Sequence, residues 1–129
     1  MNQTKPGVAP DKYTFLIVDD PPAFLELARS VLEAYSGFQV VGEATSCKEA
    51  LMLIPHLRPR VVISDIMMPE EDGLELTRRI KSRFPEVVVI LASTQYDAIV
   101  ETLAANAGAL ALVPKSRFNV RVIRRLLNT

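Results

Sequence analysis

Short, nearly continuous apolar runs alternate with amphipathic stretches along this chain. Tyr13 to Val18, Phe38 to Val41, Val61 to Ile63, Val87 to Ala92 and Ala109 to Val113 predict five strands. Several are rich in Val, Ile and Leu, as expected of parallel strands covered on both faces. Between them, Phe24, Leu27, Ala28, Val31, Leu32 and Tyr35 form one helical stripe, closed by Gly37. Pro21 and Pro22 belong near its first turn, where a missing N–H costs nothing. Ser46 and Glu49 make a capping box that opens a second helix, which Pro55 is expected to end or kink. Asp72 with Glu75 begins a third helix, stopped near Phe84 by Pro85. Tyr96 to Asn106 predicts a fourth, terminated around Gly108, and Asn119 to Leu127 a fifth. Strict alternation of strand and helix implies right-handed crossovers and a parallel sheet with helices on both faces. In such sheets a ligand sits beyond the carboxyl ends of the strands. Functional residues are therefore expected just after strands.

The totals narrow the class. A chain of 129 residues, 49% hydrophobic and 23% charged, makes one globular domain with a real core. Fifteen basic and fifteen acidic residues cancel, which argues against direct nucleic-acid contact. The single cysteine, Cys47, excludes an internal disulfide and suits a reducing compartment. No apolar stretch approaches the roughly 20 residues of a membrane-spanning helix. Residues 1–11 are polar, lack the apolar block of a secretory signal and read as a flexible tail, leaving 12–129 as the domain. The expected location is the cytoplasm.

The strand ends carry the chemistry. The first strand delivers Asp19 and Asp20, the third Asp65, the fourth Ser93 and the fifth Lys115. Three nearby carboxylates repel one another, and a divalent cation relieves that repulsion. Magnesium prefers oxygen ligands and completes its shell with water and phosphate. Asp20 and Asp65 are the expected ligands, with Asp19 binding directly or through water and the backbone carbonyl of Met67 adding an oxygen. Asp65, kept ionised, then suits a nucleophile toward phosphorus. Phosphoryl transfer asks chiefly for in-line positioning and neutralised equatorial oxygens. Lys115 and the Ser93 hydroxyl can serve two of those oxygens. Taken singly, Asp19-Asp20 before Pro21-Pro22 would pass for a helix cap, and Ser93 or Lys115 for a solvated loop residue. Their convergence on one sheet edge is what points to a site. His56 falls on a helix away from this edge and reads as structural or exposed. Cys47, in the first turn of the second helix, reads as inert.

Phe15-Leu16-Ile17-Val18-Asp19-Asp20, Ser64-Asp65-Ile66-Met67-Met68-Pro69-Glu70-Glu71-Asp72-Gly73-Leu74, the Ser93 to Lys115 spacing and Gly108 together resemble a two-component response-regulator receiver domain of the CheY-like superfamily. The resemblance covers residues 13 to 127. Val40-Val41-Gly42-Glu43-Ala44 and Leu74-Glu75-Leu76-Thr77-Arg78-Arg79-Ile80 are most similar to the NarL/FixJ (LuxR-type) transcription factors. The resemblance implies a doubly wound, flavodoxin-like (βα)5 sandwich with strand order 2-1-3-4-5. It implies Mg²⁺-dependent phosphorylation of Asp65 by a sensor histidine kinase or phosphotransfer protein, with Ser93 as switch hydroxyl. It further implies control of a transcriptional output domain, no turnover beyond the domain's own phosphorylation and dephosphorylation, and a possible homodimer through the fourth helix, fifth strand and fifth helix.

Three departures from the family pattern bear on switching. Leu112 stands three before Lys115, where an aromatic switch residue is usual. Pro114 precedes Lys115 and Ser116 follows it, so a cis bond, if present, belongs between Val113 and Pro114. Pro21 and Pro22 stand where His-Pro is common. Two other readings compete. A Mg²⁺-dependent phosphatase needs an acid-base carboxylate two residues after the nucleophile, where this chain has Met67. A pseudo-receiver would not accept phosphate at all, which the complete set of five site residues argues against.

Overall fold

The computed structural model describes residues 12–68 and 70–129; the expected tail over 1–11 lies outside the described residues. Five strands alternate with helices in the order β1 (Tyr13–Val18), α1 (Pro22–Glu33), β2 (Phe38–Ala44), α2 (Cys47–Leu57), β3 (Val61–Asp65), α3 (Gly73–Arg83), β4 (Val88–Ser93), α4 (Ala98–Ala107), β5 (Ala111–Pro114) and α5 (Val120–Leu127). A single turn of 3-10 helix, Lys115–Arg117, joins β5 to α5. All strand pairs are parallel and the sheet order is β2-β1-β3-β4-β5, the doubly wound topology expected.

Each face of the sheet holds its own core, and the two-residue period of the strands sorts side chains between them. Phe15, Ile17, Val61, Ile63, Ile90, Ala92 and Val113 pack against Phe24, Leu25, Ala28 and Leu32 of α1 and Ile123 and Leu127 of α5. Leu16, Val18, Val62, Val89, Leu91 and Leu112 face the other way, toward Cys47, Ala50 and Ile54 of α2, Leu76 and Ile80 of α3, and Ala104 of α4. Both sides of every central strand are therefore dry, which is why those runs read as apolar without alternation.

The elements differ from the sequence expectations in instructive places. Pro55 does not end α2, which runs on to Leu57. The proline sits in the last turn, its missing N–H would have served only the Leu51 carbonyl, and Arg58 closes the helix in the left-handed region (φ 48°) with its N–H on the Ile54 carbonyl. Gly37 is not the cap of α1: the helix ends at Ala34 in right-handed geometry, and Gly37 occupies the turn into β2, where its carbonyl accepts from the Tyr13 N–H at 2.9 Å. Helix α4 starts at Ala98 rather than Tyr96 because the Asp97 carboxylate accepts the Val100 N–H. Gly108 does cap α4, at φ 105°. Strand β5 is an edge, where a proline is tolerable. Among the described residues no peptide bond is cis, so Val113–Pro114 is trans. Nor is any described helix long and apolar enough to cross a membrane.

Ile63, fully buried at the centre of the sheet, tests this packing. Ile63→Ala is expected to lower the unfolding free energy by about 2–5 kcal/mol in urea titrations; a loss below about 1 kcal/mol would contradict the packing described.

Candidate functional site

The same two-residue period that sorts the cores also aims the polar residues at the strand tips. Asp19 follows Phe15 and Ile17, Asp65 follows Val61 and Ile63, and Lys115 follows Val113, all on the α1–α5 side of the sheet. These three side chains meet. The Lys115 ammonium donates to Asp19 Oδ2 at 2.8 Å and lies 3.3 Å from Asp65 Oδ1. Asp19 is fully buried and Asp65 nearly so. The second oxygen of Asp19 accepts the Asp20 backbone N–H at 2.8 Å. Lys115 also lies over the Phe24 ring, 4.6 Å from its centroid.

Ser93 ends β4, next to the Asp65–Ala92 pair, and is buried. It continues the opposite alternation, on the α3–α4 side, and its hydroxyl accepts the Gln95 N–H at 3.0 Å. Asp20 is exposed at the mouth of the site. Among the described residues no three His, Cys, Asp or Glu side chains converge as a ready-made metal cluster; Asp19 and Asp65 are drawn to Lys115 while Asp20 faces solvent. Met67 extends its side chain into solvent, 67% exposed, whereas Met68 is partly buried against the second core. Leu112, where the resemblance leads to the expectation of an aromatic switch residue, is buried in that same core.

The segment after Asp65 is clamped at several points. The Gly73 N–H donates to the Ile66 carbonyl at 2.7 Å, and any side chain at Gly73 would collide with the backbone carbonyl of Asp65. Glu70 adopts the left-handed region at φ 71°. Asp72 caps α3 by accepting the Glu75 N–H at 2.9 Å. Arg79 holds Glu71 at 2.7 Å and Glu75 at 3.2 Å. The Cys47 thiol, buried, donates to the Glu71 carbonyl at 3.1 Å. Burial, and then the charges of Glu71 and Asp72, push this thiol up to about 11, so it is inert as a nucleophile. Sequence reasoning assigned Cys47 no such contact, since its partners lie on another element. His56 is exposed on α2, as expected.

Electrostatically the site is short of positive charge. Burial raises the Asp65 carboxyl above its ordinary value of 3.8, the Asp19 charge raises it further, and Lys115 offsets only part of this. Two carboxylates share one ammonium in a protected pocket. Hard oxygen donors with uncompensated negative charge fit a small divalent cation better than any soft metal.

Residues 15–127 match the family model described as response regulator receiver domain. The chain is 42% identical over 105 residues to a protein-glutamate methylesterase/protein-glutamine glutaminase of Alkalilimnicola ehrlichii, a match covering 81% of this chain and 27% of that protein. It spans less than a third of the length of the curated relatives it matches. In fold it is similar to the signal receiver domain of the response regulator NarL of Mycobacterium tuberculosis, with TM-score 0.84 and 28% identity over 92% of this chain and 96% of that one. A LuxR-family two-component response regulator of Aurantimonas is similar at TM-score 0.84 and 26% identity, over 91% of this chain and 84% of that one. The fold neighbours thus include NarL- and LuxR-type regulators, while the curated sequence relatives are methylesterases.

The raised Asp65 carboxyl fixes the sign of a stability effect. A native value above the unfolded one contributes stability below about pH 3.8 and loses it as pH rises through the native value. Ionised Asp65 therefore costs stability at neutral pH. Asp65→Asn is expected to raise the urea midpoint at pH 7, with the gain shrinking as pH falls toward 3.8. An unchanged or lower midpoint at pH 7 would show that Lys115 fully compensates the buried charge.

Proposed function

The chain belongs to the response regulator receiver domain family, and on that premise we propose that it accepts a phosphoryl group on Asp65 from the phosphohistidine of a sensor kinase or phosphotransfer protein. The observation that carries this is the shared ammonium: Asp65 is buried beside one lysine and a second carboxylate, at the tip of a central strand. An Asp65 oxygen forms the bond to phosphorus as the bond to the donor imidazole nitrogen breaks, and the imidazole keeps the electron pair. Lys115, freed from part of its contact with the Asp65 carboxylate, turns its N–H groups to one equatorial oxygen. Ser93 reaches a second by giving up its local turn with Gln95. Asp19 keeps the ammonium tethered throughout.

Mg²⁺ fits the donor set: Asp20, Asp65 and the Met67 carbonyl would hold it, with Asp19 bound directly or through water. The ion supplies positive charge against the carboxylates and a phosphoryl oxygen. The domain acts as a phosphoacceptor that catalyses only its own phosphorylation and dephosphorylation, in the cytoplasm. The apolar residues exposed on α4, Ile99 and Leu103, with Leu110 ahead of β5, suit a homodimer through α4, β5 and α5. DNA is reached only through an output domain. Fold likeness to NarL- and LuxR-type regulators supports a transcriptional output. Identity of 42% to a methylesterase favours a second reading, control of a protein-glutamate methylesterase/glutaminase.

Incubation with acetyl phosphate and Mg²⁺ is expected to add one phosphoryl group by intact mass, lost in Asp65→Asn and on chelation. No gain in the unaltered chain would favour a phosphorylation-independent interaction module. Exposed, apolar Met67, two residues after the acceptor, cannot orient a hydrolytic water. The phosphorylated state is therefore expected to be long-lived, and Met67→Asn to shorten it by about tenfold or more; an unchanged decay rate would contradict that role.

A further inference from the structure

We infer that Phe24 is a positioning residue for the phosphoryl-transfer reaction: its ring face holds the Lys115 ammonium over the acceptor carboxylate. The inference rests on the receiver reading above and adds to it a residue outside the carboxylate, hydroxyl and lysine set.

The geometry is specific. Among the described residues Lys115 meets Asp19 Oδ2 at 2.8 Å, Asp65 Oδ1 at 3.3 Å and the Phe24 ring centroid at 4.6 Å. The first two are anions that must share the ammonium with an incoming phosphoryl group. The third is a neutral, electron-rich face that attracts a cation without competing for its protons. A phenyl ring can thus fix the position of the charge while leaving its N–H groups free to turn. An aliphatic residue of similar volume would fill the same space and offer no such attraction.

The ring is itself held. Phe24 is in the first turn of α1, buried, and meets Phe118 edge-to-face with centroids 5.3 Å apart at 71°. Phe118 stands three residues past Lys115, at the end of the 3-10 turn, and its N–H donates to the Lys115 carbonyl at 3.3 Å. Backbone and ring of Phe118 therefore hold both ends of one arrangement, the lysine and the ring beneath it. Ordinary core packing accounts for a buried aromatic on α1. It does not account for the lysine crossing that ring on its way to two carboxylates.

The test measures phosphorylation of the full chain by acetyl phosphate with Mg²⁺, followed by intact mass over time. Phe24→Leu is expected to slow uptake about three- to tenfold, and Phe24→Tyr, which keeps the ring face, to remain within about twofold of the unaltered chain. Mono-, di- and trifluorinated phenylalanine at position 24 keep the ring's shape while draining its face of electron density. Rates falling stepwise along that series support the inference, since a packing role would leave them level. A level series with normal uptake in the unaltered chain overturns the inference alone. No uptake in the unaltered chain overturns the receiver reading and this inference with it.

Discussion

Everything at the mouth of this sheet depends on one ammonium serving two buried carboxylates. Lys115 reaches Asp19 at 2.8 Å and Asp65 at 3.3 Å, and neither acid is open to bulk water. Burying one ion pair is costly, and burying a second carboxylate beside it leaves net negative charge that the protein itself does not cancel. Burial first, and then that deficit, make Asp65 reluctant to ionise. The deficit also makes the pocket receptive to a cation and able to gain from any rearrangement that brings positive charge closer. A site uncomfortable at rest is one that a ligand can change.

The fold maintains this discomfort by rigid means. Asp65 stands on a central strand whose five residues are all buried, and the α3 N-terminus is pinned against its carbonyl at Gly73. Cys47, Arg79 and Asp72 tie the following loop to α2 and α3. Strand alternation places Asp19, Asp65 and Lys115 on the α1–α5 side, whereas Ser93 and Leu112 belong to the α3–α4 side. Lys115 and Ser93 thus belong to opposite faces of the sheet on either side of the Asp65 strand tip.

Much of this was legible in the sequence because strands covered on both faces announce themselves as apolar runs, and a polar residue ending such a run stands out. The five strands and the meeting of Asp19, Asp65 and Lys115 follow from that pattern, whereas the sheet order is what the family resemblance implies. Local chemistry misled at Pro55, where a proline in a last turn costs one bond and ends nothing, and at Gly37, which serves a turn rather than a cap. The Asp97 side chain is itself a cap signal, and it starts α4 two residues later than the expected Tyr96. Contacts between distant elements were out of reach: Cys47 onto Glu71 and Lys115 onto Phe24 join residues that no periodicity relates. The exposure of Asp20 was equally hidden, since the acidic pair looks alike in sequence whichever member faces inward.

The central claim is that the Asp65 carboxylate sits in uncompensated negative charge. Its titration by carbon-13 NMR, followed in the metal-free protein and again with Mg²⁺, tests this directly. A carboxyl titrating above its ordinary 3.8 without metal, and falling when Mg²⁺ is added, is the predicted result. A value at or below 3.8 in the metal-free protein, unmoved by Mg²⁺, would contradict the account, because Lys115 alone would then have satisfied the site.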